Sequence, residues 1–324
     1  MDRRNFITLL GAAAAAWPAQ AYAQQRRPAR IGVLHPFVPP HPWTAGLRRG
    51  LRDLGYVEGQ TITIDERGSD VRYERLDGLA RELVDSKVDV LVIMTGPALL
   101  AARRQTTTVP TVMAVSSDGV GTDGVASLAR PGGNITGLTL MGPDLAGLRL
   151  SLLKDAVPAA KRIAVLYNPA ERVTADELRQ TEAAAGKLGV VLQPVEARSG
   201  DALAQAFTSA VGGGADALII FTHVFALLHR DRIAELAMQH RLPAMFAWRE
   251  FAEAGGLMVY GPNVTDTLYR AASFVDRILK GGNPAEMPIE QPTKMEFIIN
   301  LKTARALGIE IPAAMLVRAN EVIE

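Results

Sequence analysis

Short, unbroken apolar runs, each followed by a segment of helical periodicity, constrain this chain more than any other feature. In "VDVLVIM" (88–94) and "DALIIF" (216–221) every residue beyond the aspartate is apolar. A strand with one wet face alternates polar and apolar residues; a strand buried on both faces of a parallel sheet does not. The pattern predicts strands at Ile31–Leu34, Thr61–Asp65, Val88–Met94 and Thr111–Val115. A second series is predicted at Arg162–Tyr167, Val190–Val195, Asp216–Phe221, Ala244–Ala247 and Leu257–Tyr260. Between them apolar residues recur at helical spacing, as in Leu76, Leu79, Ala80 and Leu83, and again in Leu268, Ala272, Val275 and Leu279. Strands and helices that alternate in this way give an α/β fold.

The two series echo each other. "IGVLHP" at Ile31 returns as "IAVLYNP" at Ile163, an offset of 132. "VDVLVIMTGPALLAAR" at Val88 returns as "ADALIIFTHVFALLHR" at Ala215, an offset of 127 that superposes Asp89 on Asp216 and Thr95 on Thr222. "TVPTVMAV" is matched by "RLPAMFAW", Pro110 falling on Pro243 at an offset of 133. Any two βαβ units share some likeness, but three echoes in one order favour two similar lobes, each a doubly wound sheet. "ARPGGNITGL" (129–138) lies between the series, and Pro131, Gly132 and Gly133 exclude a helix or central strand there. The spacing alone leaves open whether it crosses between lobes or turns within one.

The chain starts differently. Arg3 and Arg4 precede an apolar, alanine-rich run from Phe6 to Trp17, and Ala21 and Ala23 supply small residues before Gln24. Basic start, short apolar core and small-residue cleavage site are the marks of an export signal, and the core is too short to span a bilayer. Residues 1–23 are therefore expected to be removed. The arginine pair followed by Asn5, Phe6 and Ile7 resembles a twin-arginine signal, although Asp2 stands where Ser or Thr is usual. With no cysteine, the chain can form neither a disulfide framework nor a lipid-anchored N-terminus. The expectation is a soluble periplasmic protein of about 301 residues, a length that suggests two domains. The formal charge of +1 rests on 35 basic and 34 acidic residues, and loss of Asp2, Arg3 and Arg4 leaves 33 of each. A neutral chain gives no reason to expect nucleic acid or a membrane surface as partner.

Ligands of open α/β sheets bind beyond the carboxyl ends of the strands. Those places hold His35 and Pro36; Thr95, Gly96 and Pro97; Ser116, Ser117 and Asp118; Tyr167 and Asn168; Thr222 and His223; Trp248, Arg249 and Glu250; and Tyr260. Hydroxyls, amides and aromatic rings with few charges suit a small polar or zwitterionic organic ligand. Thr95 and Gly96 also open a helix whose unpaired N–H groups suit a carboxylate. Each threonine taken singly reads equally as a helix cap. Catalytic motifs are missing: there is no G-x-G-x-x-G after the first strand, no G-x-x-x-x-G-K-[ST] and no G-x-S-x-G. Gly212, Gly213 and Gly214 precede a strand rather than open a helix. The five histidines form no H-E-x-x-H, so neither a metal nor a cofactor is expected.

Longer stretches carry a resemblance. They are "GLRRGLRDLGYVEGQTITID", "ASLARPGGNITGLT", "HRLPAMFAWREFAEAGGLMVYGPN", "RAASFVDRILKGGNPAEMPIEQPTKMEFIINLKTARALGIEIP" and "RANEVIE", with the N-terminal "RRNFITLLGAAAAAWP". Together they resemble the substrate-binding proteins of ABC importers, in the branch with the type I periplasmic-binding fold. The resemblance implies two Rossmann-like lobes joined by a hinge, with residues 28–140 and 262–283 in the first and 141–261 and 284–324 in the second. It implies a crossover at "ARPGGNITGL", a return near Gly261 and a third crossing near Pro284. It places Thr95, Gly96, Ser117, Asp118, Asn168, Thr222 and Tyr260 at the cleft; His223, Trp248 and His35 join them from strand-end position. Members often read Asp-Pro-Val where this chain has Asp118, Gly119, Val120, and Ser-Asp-Pro where it has Thr222, His223, Val224. The second departure removes a carboxylate that could face a ligand's ammonium group. His35 and Pro36 likewise stand where small polar residues are common. The implied role is a monomer that closes on a small organic solute, such as an amino acid or aromatic compound, without covalent chemistry, and delivers it to an ABC permease. A periplasmic sensor with the same fold is the alternative, and an α/β hydrolase or transferase is the rival of a different class.

Overall fold

The structure, a computed structural model, describes residues 27–116, 125–169, 171 and 173–324. The export signal read at residues 1–23 and the site candidates Ser117 and Asp118 lie outside the described residues.

Two sheets form, and they repeat one topology. The first contains β1 (Ala29–His35), β2 (Ile62–Gly68), β3 (Val90–Met94), β4 (Thr111–Val115) and β5 (Ile135–Gly137), all parallel, in the order β2-β1-β3-β4-β5. The second contains β6 (Arg162–Tyr167), β7 (Val191–Glu196), β8 (Ala217–Ile220), β9 (Ala244–Phe246) and β10 (Met258–Pro262). Read from β7, its order is β7-β6-β8-β9-β10, the same winding as the first sheet. Two strands extend it: β11 (Met295–Asn300), antiparallel to β10, and β12 (Glu321–Ile323), parallel to β11. The sequence echo has a physical counterpart. Asp89 Oδ2 accepts the backbone N–H of Arg30 at 2.7 Å, and Asp216 Oδ2 accepts that of Arg162 at 2.9 Å. Each aspartate thus ties the start of the third strand of its lobe, counted along the chain, to the start of the first.

Helices cover both faces of each sheet. On the first sheet α1 (Thr44–Asp53) occupies one face, and α2 (Leu76–Asp85) and α3 (Gly96–Gln105) the other, burying Leu76, Leu79, Leu83 and Leu99. The second sheet is covered by α4 (Gly142–Ala156) and α5 (Val173–Leu188), and by α6 (Leu203–Gly212), α7 (Val224–Leu228) and α8 (Arg230–Gln239). After α9 (Arg249–Glu253) and β10, α10 (Val264–Leu279) packs back on α1 and on β3 and β4 of the first sheet. That packing is close because α1 carries glycine at the contact. A Cβ on Gly46 would lie 2.3 Å from the Thr265 carbonyl oxygen, and one on Gly50 would lie 2.4 Å from that of Tyr269. The C-terminal α11 (Leu301–Leu307) and α12 (Ala313–Arg318) complete the second lobe.

The chain passes between lobes three times, and the third passage differs from expectation. The glycine turn at 132–133 stays on the first lobe, because Ile135–Gly137 pairs with β4; the passage follows at 138–141. The third passage comes after Glu290 rather than at Pro284. Residues 284–290 remain tied to the first sheet, where the Met287 carbonyl accepts Thr136 Oγ1 at 2.8 Å and Ile289 N–H donates to the Leu128 carbonyl at 2.7 Å. The crossing strands are bonded to one another. Thr139 N–H meets the Glu290 carbonyl at 3.0 Å, and Asn263 N–H meets the Lys294 carbonyl at 3.1 Å. Among the described residues, no helix is long and apolar enough to cross a membrane.

Candidate functional site

A cavity of about 280 Å³ lies between the lobes, at the carboxyl ends of their strands. From the first lobe its lining includes Trp43 just before α1, Tyr73 at the start of the 3-10 turn that leads into α2, Thr95, Gly96 and Pro97 at the start of α3, Arg104 near its end, Val115 at the end of β4 and Leu140 on the first crossing. The second lobe contributes Glu171 from the loop after β6, Thr222, His223 and Val224 after β8, and Trp248 after β9. The walls are mainly apolar, with a few polar groups, as in sites for small organic ligands.

The lobes touch across this cavity. Trp43 Nε1 donates to Glu250 Oε1 at 2.6 Å, and the Tyr73 hydroxyl donates to Glu171 Oε1 at 2.8 Å. Trp43 and Trp248 meet edge to face with ring centroids 6.0 Å apart. Each contact joins a first-lobe residue to a second-lobe residue, so the arrangement is the closed one. Burial pushes the Glu171 carboxyl above its ordinary range, opposed by the Tyr73 hydrogen bond. Burial and the same carboxylate push the Tyr73 hydroxyl up.

Trp43 is held from behind by other rings. His41 stacks on Phe37 at 4.1 Å and meets Trp43 edge-on at 5.1 Å. Burial, with the neighbouring His35, pushes the His41 imidazole down to about 4, so it packs as a neutral ring. His35 belongs to this support and not to the cavity wall. It is fully buried; its Nδ1 accepts the Phe37 N–H at 3.2 Å and its Nε2 meets Glu66 Oε1 at 2.9 Å. Glu66 also accepts the His41 N–H and an Arg48 hydrogen bond. Burial alone would raise its carboxyl, but those donors and charges bring it down to about 2.

Of the other residues expected at the cleft, Thr95, Gly96, Thr222, His223 and Trp248 line the cavity, whereas Asn168 and Tyr260 are not part of its lining. Asn168 acts through its backbone. Its carbonyl accepts the Glu171 N–H at 3.0 Å and Thr174 Oγ1 at 3.2 Å, a turn that sets Glu171 in place. The Tyr260 ring packs edge-on against Phe297, and its carbonyl accepts Arg149 Nε at 2.8 Å. Thr222 reaches the cavity, but its polar groups serve a buried ion pair. Glu177 accepts both its N–H and its hydroxyl at 2.9 Å, and Arg149 donates to the hydroxyl at 3.0 Å. Arg149 and Glu177 sit 2.9 Å apart with 1% of each side chain exposed. Burial raises the carboxyl and lowers the guanidinium, and each charge opposes the other's shift. Thr222 is therefore a fixed part of the wall and has no hydroxyl proton left to give. Reading strand ends alone missed Trp43, Tyr73 and Glu171, which stand in the turns that lead into the following helices.

The same architecture occurs in known proteins. A sequence model of the family described as "ABC transporter substrate binding protein" matches residues 41–323. The chain belongs to this family. Its members are ligand carriers and not enzymes. A tyrosine-binding protein of Clostridioides difficile is 27% identical over 270 residues, covering 82% of this chain and 76% of that one. A Streptococcus pneumonia ABC domain in complex with L-Trp superposes with a TM-score of 0.85 at 26% identity, over 91% of this chain and all of the other. A conserved domain protein of Vibrio cholerae gives 0.84 at 26% identity, with 91% and 99% coverage. The two-lobed fold is thus that of the type I periplasmic-binding proteins, represented also by a Thermotoga maritima leucine-binding protein at a TM-score of 0.63 and 14% identity.

Proposed function

We propose that this chain is the periplasmic solute-binding component of an ABC importer, and that its solute is a small aromatic or other apolar amino acid or a related acid. One observation carries the reading: the cavity is walled by both lobes, and both lobes are needed to close it. A ligand inside contacts each lobe and so favours the closed form over the open one. The cavity is small, and Trp43, Tyr73 and Trp248 offer ring faces and edges suited to an apolar body. The relatives that bind L-Trp and tyrosine support an amino-acid ligand of that size. Closure is a hinge motion about the three crossings at 138–141, 262–263 and 291–294. The moving bodies are residues 28–140 with 262–290 and residues 141–261 with 291–324. The carrier works as a monomer after removal of its export signal and hands its ligand to an inner-membrane permease.

A thermal-shift screen of amino acids, aromatic acids and nucleosides against the mature chain tests the binding step. A ligand that binds only the folded state raises the melting point, by about 2.7 kcal/mol of added stability at a hundredfold excess over Kd. Aromatic amino acids are expected to give the largest shifts. No shift from any compound at millimolar concentration would sink the reading. Loss of uptake of the identified solute in a strain lacking this gene would test delivery to a permease.

A further inference from the structure

Buried polar atoms nearly always find a partner within the protein or in ordered solvent. Among the described residues five buried side-chain atoms have none in the protein, and three of them belong to the cavity wall: Thr95 Oγ1, His223 Nε2 and Trp248 Nε1. These residues are 8%, 3% and 5% exposed.

Two of the three have a fixed hydrogen-bonding sense. The indole Nε1 of Trp248 can only donate. His223 Nδ1 accepts the Ala226 N–H at 3.1 Å, which assigns the ring proton to Nε2. Burial pushes the His223 imidazole down to about 3, so the ring is neutral and its Nε2–H is a permanent donor. Phe225 stacks on the ring, nearly parallel at 5.8 Å, and fixes its plane. His223 and Trp248 follow β8 and β9, which are neighbouring parallel strands, so both donors stand at one edge of the second sheet.

Across the cavity, Thr95 is the N-cap of the ten-residue helix α3 and is held at φ 106°. Such a backbone angle costs energy in any residue but glycine, and it persists where the surroundings fix it. Unpaired N–H groups at the helix start add positive potential at this point. A group that can only donate would leave the Trp248 and His223 N–H groups unpaired, whereas a carboxylate offers acceptors to all three side chains.

We propose that the ligand enters as a carboxylate, docked between His223 Nε2–H, Trp248 Nε1–H and the Thr95 hydroxyl, with its apolar body against the remaining walls. His223 is then a specificity-determining residue that requires an acid. This rests on the solute-binding reading above and adds the ligand chemistry that the site demands.

Matched pairs of ligands test it on the intact mature chain. L-tryptophan is compared with tryptamine and L-tyrosine with tyramine, each pair differing only by the carboxylate. By calorimetry the acids should bind at least about tenfold more tightly than the amines. In the double variant H223F/W248F the acids should weaken more than the amines, until the ratio approaches one. H223Q, which keeps a side-chain N–H donor, should preserve much of the discrimination. Amines that bind wild-type protein as well as the acids would overturn the carboxylate site and leave solute binding intact. A ratio that survives in the double variant would also overturn it, by showing that the acid docks elsewhere. No binding by any of the four would count against both readings.

Discussion

Replacing Tyr73 with phenylalanine should weaken ligand binding by destabilising the closed form alone. The Tyr73 hydroxyl lies 2.8 Å from Glu171 Oε1, and Glu171 is only 7% exposed when the lobes meet. With the lobes apart, water replaces the tyrosine, so the variant loses little in the open form. With the lobes together, the carboxyl loses a donor in a place that water reaches poorly. A hydrogen bond to a charged acceptor is worth roughly 1.5–3 kcal/mol, and incomplete desolvation places this one near the lower end. A loss of about 1–2 kcal/mol in the closing step raises the apparent Kd about 5–30-fold. Calorimetric titration of the best aromatic amino acid into wild-type protein and Y73F measures this ratio. Small-angle scattering of the ligand-free proteins should show a larger radius of gyration for the variant. E171Q, whose amide oxygen can still accept from Tyr73, should lose less affinity than Y73F. An unchanged Kd and scattering profile in Y73F would refute the reasoning, because the bond would then contribute nothing to closure.

Other consequences follow from the same contacts. Burial holds the Glu171 carboxyl above its ordinary value of 4.5 in the closed form, so closure takes up protons. This contribution is fully present below that pH and is lost as pH rises through the closed-state value. Affinity measured across pH 4.5–7.5 should therefore fall with rising pH by a slope that E171Q removes. R149M should lose about 3–5 kcal/mol in urea unfolding by leaving Glu177 buried without its charge partner, whereas R149M/E177L should lose less. Single and double variants equal in stability would contradict this. Gly50→Val should cost about 1–3 kcal/mol, since its side chain enters the space of the Tyr269 carbonyl and pries α10 from α1; an unchanged melting point would show that the two helices tolerate separation.

The sheets were legible because burial on both faces leaves a direct trace. "VLVIM" and "ALII" admit little other than central parallel strands, and both fall in β3 and β8. The paired aspartates were legible as an echo, and the structure shows the shared job that makes them alike. Short edge elements left weaker traces. β5 has three residues, and it adds to the first sheet before the chain crosses, which glycines at 132–133 did not reveal. β11 and β12 join the C-terminal segment to the second sheet, and residues such as Phe297, Ile299, Ile311 and Met315 pack it into the core. At the site, position after a strand gave the neighbourhood but not the direction of a side chain. His35 turns to Glu66, and the Tyr260 ring turns to Phe297. Trp43 and Tyr73 reach the cavity from the turns that open α1 and α2, whose placement depends on how those helices pack, and no local pattern records that packing. One simple signal was available. Trp17, Trp43 and Trp248 are the three tryptophans, and two of them lie beyond residues 1–23.

Those two tryptophans give the most direct test of the account. Both line the cavity, and they touch each other across it. A chain that begins at Gln24 therefore carries its tryptophan emission entirely at the proposed site. L-tyrosine or L-phenylalanine should change that emission along a saturating one-to-one curve, with a midpoint equal to the Kd from calorimetry. A ligand that raises the melting point yet leaves the emission of Trp43 and Trp248 unchanged would place binding elsewhere and contradict the account.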